Sequence, residues 1–204
     1  MPAEPNLRPP ILRDPEPMLR DVTARWQRTS DDLWVFGYAS LIWRPEFEAA
    51  EHRVARVHGW HRALRMRSRV NRGTPDYPGL VFALLPGGCC KGMAFRIPRR
   101  QAVEELRRLW NREMMTGVYD PRFLRCATTQ GPVAALTFTL ARQSPAHTGP
   151  ISDDQMLRIL RHARGRYGTT LDYLLETARA LRLHGIADGE IDRLARLAGR
   201  HGLA

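Results

Sequence analysis

Glu113 is the carboxylate whose place in the sequence points most directly to chemistry. The segment from Arg100 to Met115, preceded by Pro98, predicts a helix. On it Val103, Leu106, Trp110 and Glu113 follow one another at steps of three, four and three, so the four share one face and the apolar members mark it as core-directed. A carboxylate on an apolar stripe loses hydration, and near a helix C-terminus the macrodipole disfavours its charge; both effects raise its pKa. A carboxyl group tuned in this way can take up a proton and return it near neutral pH, work worth roughly 10²- to 10⁴-fold in rate. The same position equally suits a structural ion pair with Arg112 or Arg108, and position alone leaves both roles open. Glu104 lies nine residues earlier, and nine steps of about 100° carry it to the opposite face, where it reads as solvated.

A second candidate is the loop Gly37-Tyr38-Ala39-Ser40-Leu41. It follows the apolar, aromatic run Leu33 to Tyr38, which predicts a buried strand ending at a glycine. Small residues there leave backbone N–H groups open to an anion or a developing oxyanion, although a plain strand-to-loop turn has the same signature. Ser40 as a nucleophile would need a positioned His and acid that the sequence does not advertise. His58 and His61 are three apart but lie in strand-like sequence with no third ligand nearby, so no metal is expected. Cys89, Cys90 and Cys126 are odd in number, which argues for plain thiols in a reducing compartment rather than a disulfide framework or a zinc site.

The elements that must position these residues form an α+β pattern. Six prolines between Pro2 and Pro17 predict an arm over residues 1–30, irregular until a short helix from Met18 to Gln27 and draped on a domain spanning 31–204. Strands are expected at Val54 to His58, Ala63 to Val70, Leu80 to Leu85, Lys91 to Ile97, Phe123 to Thr128 and Val133 to Ala141, with Gly59, the loop Arg72 to Gly79 and Gly87-Gly88 as breaks. The last third turns helical: Ser152 with Gln155 forms a capping-box signature, Thr169 or Thr170 opens a second helix and Asp188 a third. Several strands, one helix, more strands and then helices suggest a mainly antiparallel or mixed sheet closed into a barrel with helices around it.

Composition narrows the function classes. A chain of 204 residues with 43% hydrophobic and 26% charged residues is an ordinary globular domain. It has no apolar run of membrane-spanning length and a Pro- and charge-rich start, so a cytoplasmic protein without membrane partners is expected. The net charge of +11 invites a nucleic-acid-binding reading. However, Lys91 is the lone lysine and the arginines are spread from Arg8 to Arg200. That dispersal reads as a general preference for Arg over Lys, and no nucleic-acid partner is expected. The densest run, Arg62, Arg65, Arg67, Arg69 and Arg72, has odd-numbered members that would share a strand face, either solvated or forming a rim that attracts an acidic substrate.

Together these segments resemble the ChaC family of glutathione-specific γ-glutamylcyclotransferases. Trp34 to Trp43 is similar to the family's opening strand and Tyr-Gly-Ser-Leu substrate loop. Gly59-Trp60-His61-Arg62, Arg72-Gly73-Thr74 with Pro78-Gly79, Gly92 to Pro98, Leu109 to Met114 with Thr116-Gly117 and Tyr119, and Tyr167-Gly168-Thr169 with Tyr173-Leu174 follow in the family's order. The match spans about residues 33–183. The resemblance implies a γ-glutamylcyclotransferase-like fold, a small mixed β-barrel flanked by helices with the substrate pocket at one mouth. It places the family's Arg-Glu pair on Arg112-Glu113, making Glu113 the general base and acid, and assigns the γ-glutamyl grip to Val35, Phe36, Gly37, Tyr38, Ala39, Ser40 and Leu41. The family commonly has Gly where this chain has Ala39; a left-handed backbone there would cost the methyl about 1 kcal/mol.

The implied reaction is attack of glutathione's α-amine on its own γ-carbonyl, closing 5-oxoproline and releasing cysteinylglycine, with no metal or other cofactor. Two alternatives accompany it: a cyclotransferase of the same fold acting on γ-glutamyl-amines or γ-glutamyl-amino acids, and a basic nucleic-acid-binding domain.

Overall fold

A computed structural model describes residues 12–203; Pro2, Pro5, Pro9 and Pro10 of the arm lie outside the described residues. In chain order the elements are α1 (Pro15–Gln27), β1 (Leu33–Gly37), α2 (Ser40–Trp43), β2 (Glu51–Ser68), β3 (Gly79–Ile97), α3 (Arg99–Glu113), β4 (Asp120–Thr128), β5 (Val133–Thr139), α4 (Asp153–His162), β6 (Arg164–Gly165), β7 (Gly168–Thr169), α5 (Thr170–Leu183) and α6 (Gly189–Arg200). Strands β1 to β5 close a barrel in the order β1-β3-β2-β4-β5. The β1–β5 pair that completes it is parallel, whereas the other pairs are antiparallel. The expected α+β class and mixed barrel are therefore present.

The barrel rests on two strands longer than expected. β2 and β3 run for 18 and 19 residues, and the glycines read as chain breaks are bulges inside one ladder. His58 pairs with Cys89 but Trp60 pairs with Pro86. Gly59, Gly87 and Gly88 absorb this shift with φ of 79°, 102° and 75°, a conformation open to residues without a Cβ. A second shift makes Arg65 an extra residue, because Leu64 pairs with Phe82 and Met66 with Val81. The alternation expected for Arg65, Arg67 and Arg69 is thereby broken, and β2 ends at Ser68. Arg62 and Arg72 are buried, not solvated.

Helix α1 begins at Pro15, three residues before the expected start, because Asp14 caps it and proline is compatible with a first helical turn. Its Leu19, Val22 and Trp26 join the common core. The helices of the last third start where their caps predict: Ser152 and Thr169 each complete a capping box, and Asp188 accepts from the Ile191 N–H. In α3 the apolar stripe is rotated from the expected one. Val103 is 48% exposed, and the buried face consists of Ala102, Glu105, Leu106, Leu109 and Trp110. Glu104 pairs with Arg108 on the exposed side, as its spacing requires.

The loop between β2 and β3 is held by backbone contact. The N–H groups of Arg166 and Tyr167, in the β6–β7 turn, donate to the carbonyls of Val70 and Asn71. Thr170 Oγ1 accepts from the Leu80 N–H at 2.9 Å. A Cβ on Gly79 would lie 2.0 Å from the Arg72 carbonyl oxygen and 2.5 Å from Thr170 Oγ1. Gly79→Ala is expected to destabilise the protein by more than about 3 kcal/mol, since the Arg72 backbone and the Thr170 side chain must both move. Gly131→Ala, in a turn with φ of 101° and nothing within 4 Å of the added methyl, should cost only about 1 kcal/mol. Thermal unfolding of the two variants beside the parent checks the difference.

Candidate active site

Gly37 ends β1 so that the chain can fold back at once into α2. A Cβ there would sit 2.9 Å from Leu41 Cβ and 3.1 Å from the Phe95 ring. Ala39, the N-cap of α2, has φ −146° and ψ −114°, so its methyl pays no left-handed cost. It supplies no side-chain cap, and the first N–H groups of a helix have no intrahelical acceptor. The Tyr38 hydroxyl donates to the Phe138 carbonyl at 3.0 Å, and Thr137 Oγ1 donates to the Phe36 carbonyl at 3.0 Å. These bonds fasten the β1–α2 loop to β5.

Beside this loop lies a cavity of about 450 Å³ walled by the end of α2, the end of β2, the end of α3 and Tyr173 of α5. Glu113 lines it, with a side chain 16% exposed. Of the loop residues proposed for binding, Ser40 lines the cavity, whereas Val35, Phe36, Gly37, Tyr38, Ala39 and Leu41 are buried behind it. Arg112 joins the two candidates: its Nε lies 3.0 Å from Glu113 Oε1 and its Nη2 donates to Ser40 Oγ at 3.1 Å. Nη1 donates to the Arg44 carbonyl and lies 3.4 Å from Glu46 Oε2. The two roles left open for Glu113, an ion pair and a cavity-facing carboxylate, occur together.

Burial pushes the Glu113 pKa above the ordinary carboxylate range; Arg112 opposes that rise and the Glu46 charge adds to it. Glu46 itself has φ 56°, the one non-glycine positive φ among the described residues, a strained backbone at the cavity edge. The phenols around Glu113 remain protonated. Burial holds Tyr38 and Tyr119 well above the usual tyrosine value and raises Tyr173 to about 12. Arg72, on the opposite wall, is buried with its guanidinium 5.1 Å from the centre of the Tyr173 ring. Its Nη1 donates to the Tyr167 carbonyl at 2.5 Å, and desolvation lowers its pKa.

Sequence reasoning did not single out Glu46, Tyr119 or Tyr173 as site residues, and Arg72 entered only as a member of the basic run that could rim an acidic substrate. Their separation along the chain hides them, and the cue available was an arginine next to the Gly73–Gly79 loop. Cys90 and Cys126 are buried, and desolvation pushes their thiols up to about 11 and about 12. His58 and His61 do not form part of a metal-ligating cluster; among the described residues no group of three or more His, Cys, Asp or Glu could hold an ion. No helix among them is long and apolar enough to cross a membrane.

The raised Glu113 pKa has a consequence for stability. A carboxyl group whose folded pKa lies above its unfolded value stabilises the fold at low pH and loses that contribution as pH rises through the folded pKa. Glu113→Gln is therefore expected to melt no lower than the parent at pH 7 to 8, and to lose any advantage as pH falls to about 4. Thermal unfolding across that range checks the sign.

Comparison with known proteins places these features in context. The family model described as ChaC-like protein matches residues 33–200. The glutathione-specific γ-glutamylcyclotransferase of Escherichia coli is 34% identical over 163 residues, covering 79% of this chain and 71% of that protein. Human glutathione-specific γ-glutamylcyclotransferase 1 is 33% identical over 191 residues, covering 90% and 83%. The crystal structure of a yeast γ-glutamyl cyclotransferase specific to glutathione superposes with a TM-score of 0.76 at 20% identity, covering 84% of this chain and 97% of the yeast chain. The fold is thus the one that the sequence resemblance implied.

Proposed function

The chain belongs to the ChaC family, and from that premise we propose that it is a glutathione-specific γ-glutamylcyclotransferase, a lyase in which Glu113 serves as both base and acid. The observation that carries the assignment of Glu113 is its position, a partly buried carboxylate with raised pKa facing a cavity beside the β1–α2 loop. Glutathione supplies both nucleophile and electrophile. Its α-amine attacks its own γ-carbonyl, a C–N bond forms, and the original amide C–N bond breaks. The α-nitrogen passes from an ammonium to the single N–H of the ring and gives up two protons, and the departing nitrogen of cysteinylglycine takes up two to leave as an ammonium; Glu113 carries them one at a time, so protons, atoms and charge balance and the carboxylate ends as it began.

The cavity supplies the remaining requirements. The γ-glutamyl end rests against the β1–α2 loop at Ser40, and the neutral Tyr119 and Tyr173 phenols on the cavity wall provide donors for the tetrahedral oxyanion. Arg72 and Arg69, both on the cavity wall, provide cations for substrate carboxylates. Arg112 fixes the Glu113 carboxylate by its Nε contact and holds Ser40 by another. Such fixation favours the near-attack shape that ring closure needs.

Purified protein is expected to convert reduced glutathione to 5-oxoproline and cysteinylglycine in the presence of a chelator. Activity lost in chelator and restored by a divalent ion would overturn the mechanism. A higher kcat/KM for γ-glutamyl-amines or γ-glutamyl-amino acids would transfer the reading to the related cyclotransferases. Glu113→Gln should lower kcat by at least about two orders of magnitude with substrate binding retained. Glu104→Gln, on the solvent side of α3 and paired with Arg108, should change it little. Because Glu113 must be ionised to act as a base, kcat/KM should fall on the acid side with a midpoint above the ordinary carboxylate range.

A further inference from the structure

Arg62, in the middle of β2, has a side chain only 1% exposed. It stands between the catalytic loop and the last helix. Its Nε and Nη2 donate to Asp188 Oδ2 at 3.1 and 2.6 Å. Its Nη1 donates to the Tyr38 carbonyl, and to the Lys91 carbonyl at 3.2 Å. Asp188 is committed on its other oxygen, because Oδ1 accepts from the Ile191 N–H at 3.0 Å and caps α6. Four of the five N–H donors of the guanidinium are thus occupied by one carboxylate and two backbone carbonyls.

The Tyr38 carbonyl is the informative partner. It belongs to the peptide joining Tyr38 to Ala39, immediately before Ser40 opens α2. In a trans peptide the carbonyl and the following N–H point in opposite directions, so anchoring the Tyr38 oxygen also sets the direction of the Ala39 N–H. The same peptide leads directly to Ser40, which accepts the Arg112 bond. We propose that Arg62, held by Asp188, is a positioning residue for the reaction: it fixes the Tyr38–Ala39 peptide, and through it the loop that faces Glu113. The proposal rests on the cyclotransferase reading for its kinetic consequence, but its structural claim concerns the loop alone.

A merely structural role predicts something different. The Arg62–Asp188 pair also ties α6 to the barrel, and loosening that helix would lower the melting temperature without altering turnover by folded molecules. Arg193 separates the two effects. It ties α6 to α4 through Asp153, and pairs with Glu190 within α6, yet has no bond to the β1–α2 loop. Arg62 also lines an open cavity of about 660 Å³ next to α6, so removal of its side chain leaves a space that a small guanidinium compound can reach from solvent.

The experiment compares Arg62→Ala, Asp188→Asn and Arg193→Met with the parent, at a temperature where circular dichroism shows each folded. Two readouts are taken: glutathione kcat and KM, and hydrogen exchange of the amides in residues 38–43. Arg62→Ala should lose at least about tenfold in kcat with a smaller change in KM, recover part of it in ethylguanidinium, and exchange at least about tenfold faster in the loop. Asp188→Asn, which keeps the α6 cap oxygen, should shift both readouts in the same direction by less. Arg193→Met should leave both unchanged. Parental kcat and loop exchange in folded Arg62→Ala would overturn the proposal, as would an equal kinetic loss in Arg193→Met. If Arg62→Ala does not fold, parental values in Asp188→Asn overturn it instead. A parent inactive on glutathione would count against the proposed function, and loop exchange would then decide the positioning claim by itself.

Discussion

The contact between Arg112 and Glu113 is the constraint on which the site depends. Consecutive helical residues point about 100° apart, so adjacent side chains pair only if both bend toward a common space. Here that space is the cavity at the end of α3. A partly desolvated ion pair does little for stability, because lost hydration offsets much of its Coulomb energy. Its value lies in geometry. The Arg112 fork is shared among Glu113, Glu46, Ser40 and the Arg44 carbonyl, which couples the end of α3 to α2 and to the segment following it.

The barrel serves the same constraint from the other side. Closing five strands with one parallel pair places the end of β1 beside β5, where Thr137 and Phe138 bind the Phe36 carbonyl and the Tyr38 hydroxyl. The β2–β3 ladder brings Arg62 under the same loop and, at its far end, delivers Arg72 to the opposite wall. The α5 helix adds Tyr173 and receives the Trp43 indole N–H on Thr177 Oγ1 at 3.3 Å. Elements far apart in sequence thus meet at one loop, and the long ladder sets their spacing.

What was legible in the sequence follows from how local each determinant is. The capping boxes at Ser152 and Thr169 involve residues three apart, and they mark helix starts without tertiary information. The inward placement of Glu113 was legible because a helical period carries across its neighbours, although the phase of the stripe differs: Val103 is an apolar residue on the solvent side, and buried Glu105 takes a core position with Arg108 as its partner. The glycines at 59, 87 and 88 read as turns because a bulge and a turn demand the same positive φ. Arg62 and Arg72 read as part of a basic face because their acceptors, Asp188 and the Tyr167 carbonyl, lie some ninety or more residues away. Tertiary pairing of this kind leaves no local trace.

The electrostatics of the cavity suit the proton transfer proposed for a single carboxylate. Tyr38, Tyr119 and Tyr173 have their ionisation moved further from neutrality by burial, so near neutral pH they donate hydrogen bonds without giving up protons. Arg72 is lowered by desolvation, but an arginine starts so high that it stays a cation. Glu113 is moved the other way, toward neutrality. Burial, which desolvates every one of these groups, therefore brings the carboxyl toward neutrality and takes the phenols away from it. Arg112 limits the shift: without its charge burial would carry the carboxyl further upward and leave less of the ionised base, whereas unopposed it would hold Glu113 below the ordinary carboxylate range, a still weaker base. Glu46 on the other side of that guanidinium divides its influence, and the strained backbone at Glu46 sits at the point where that division is made.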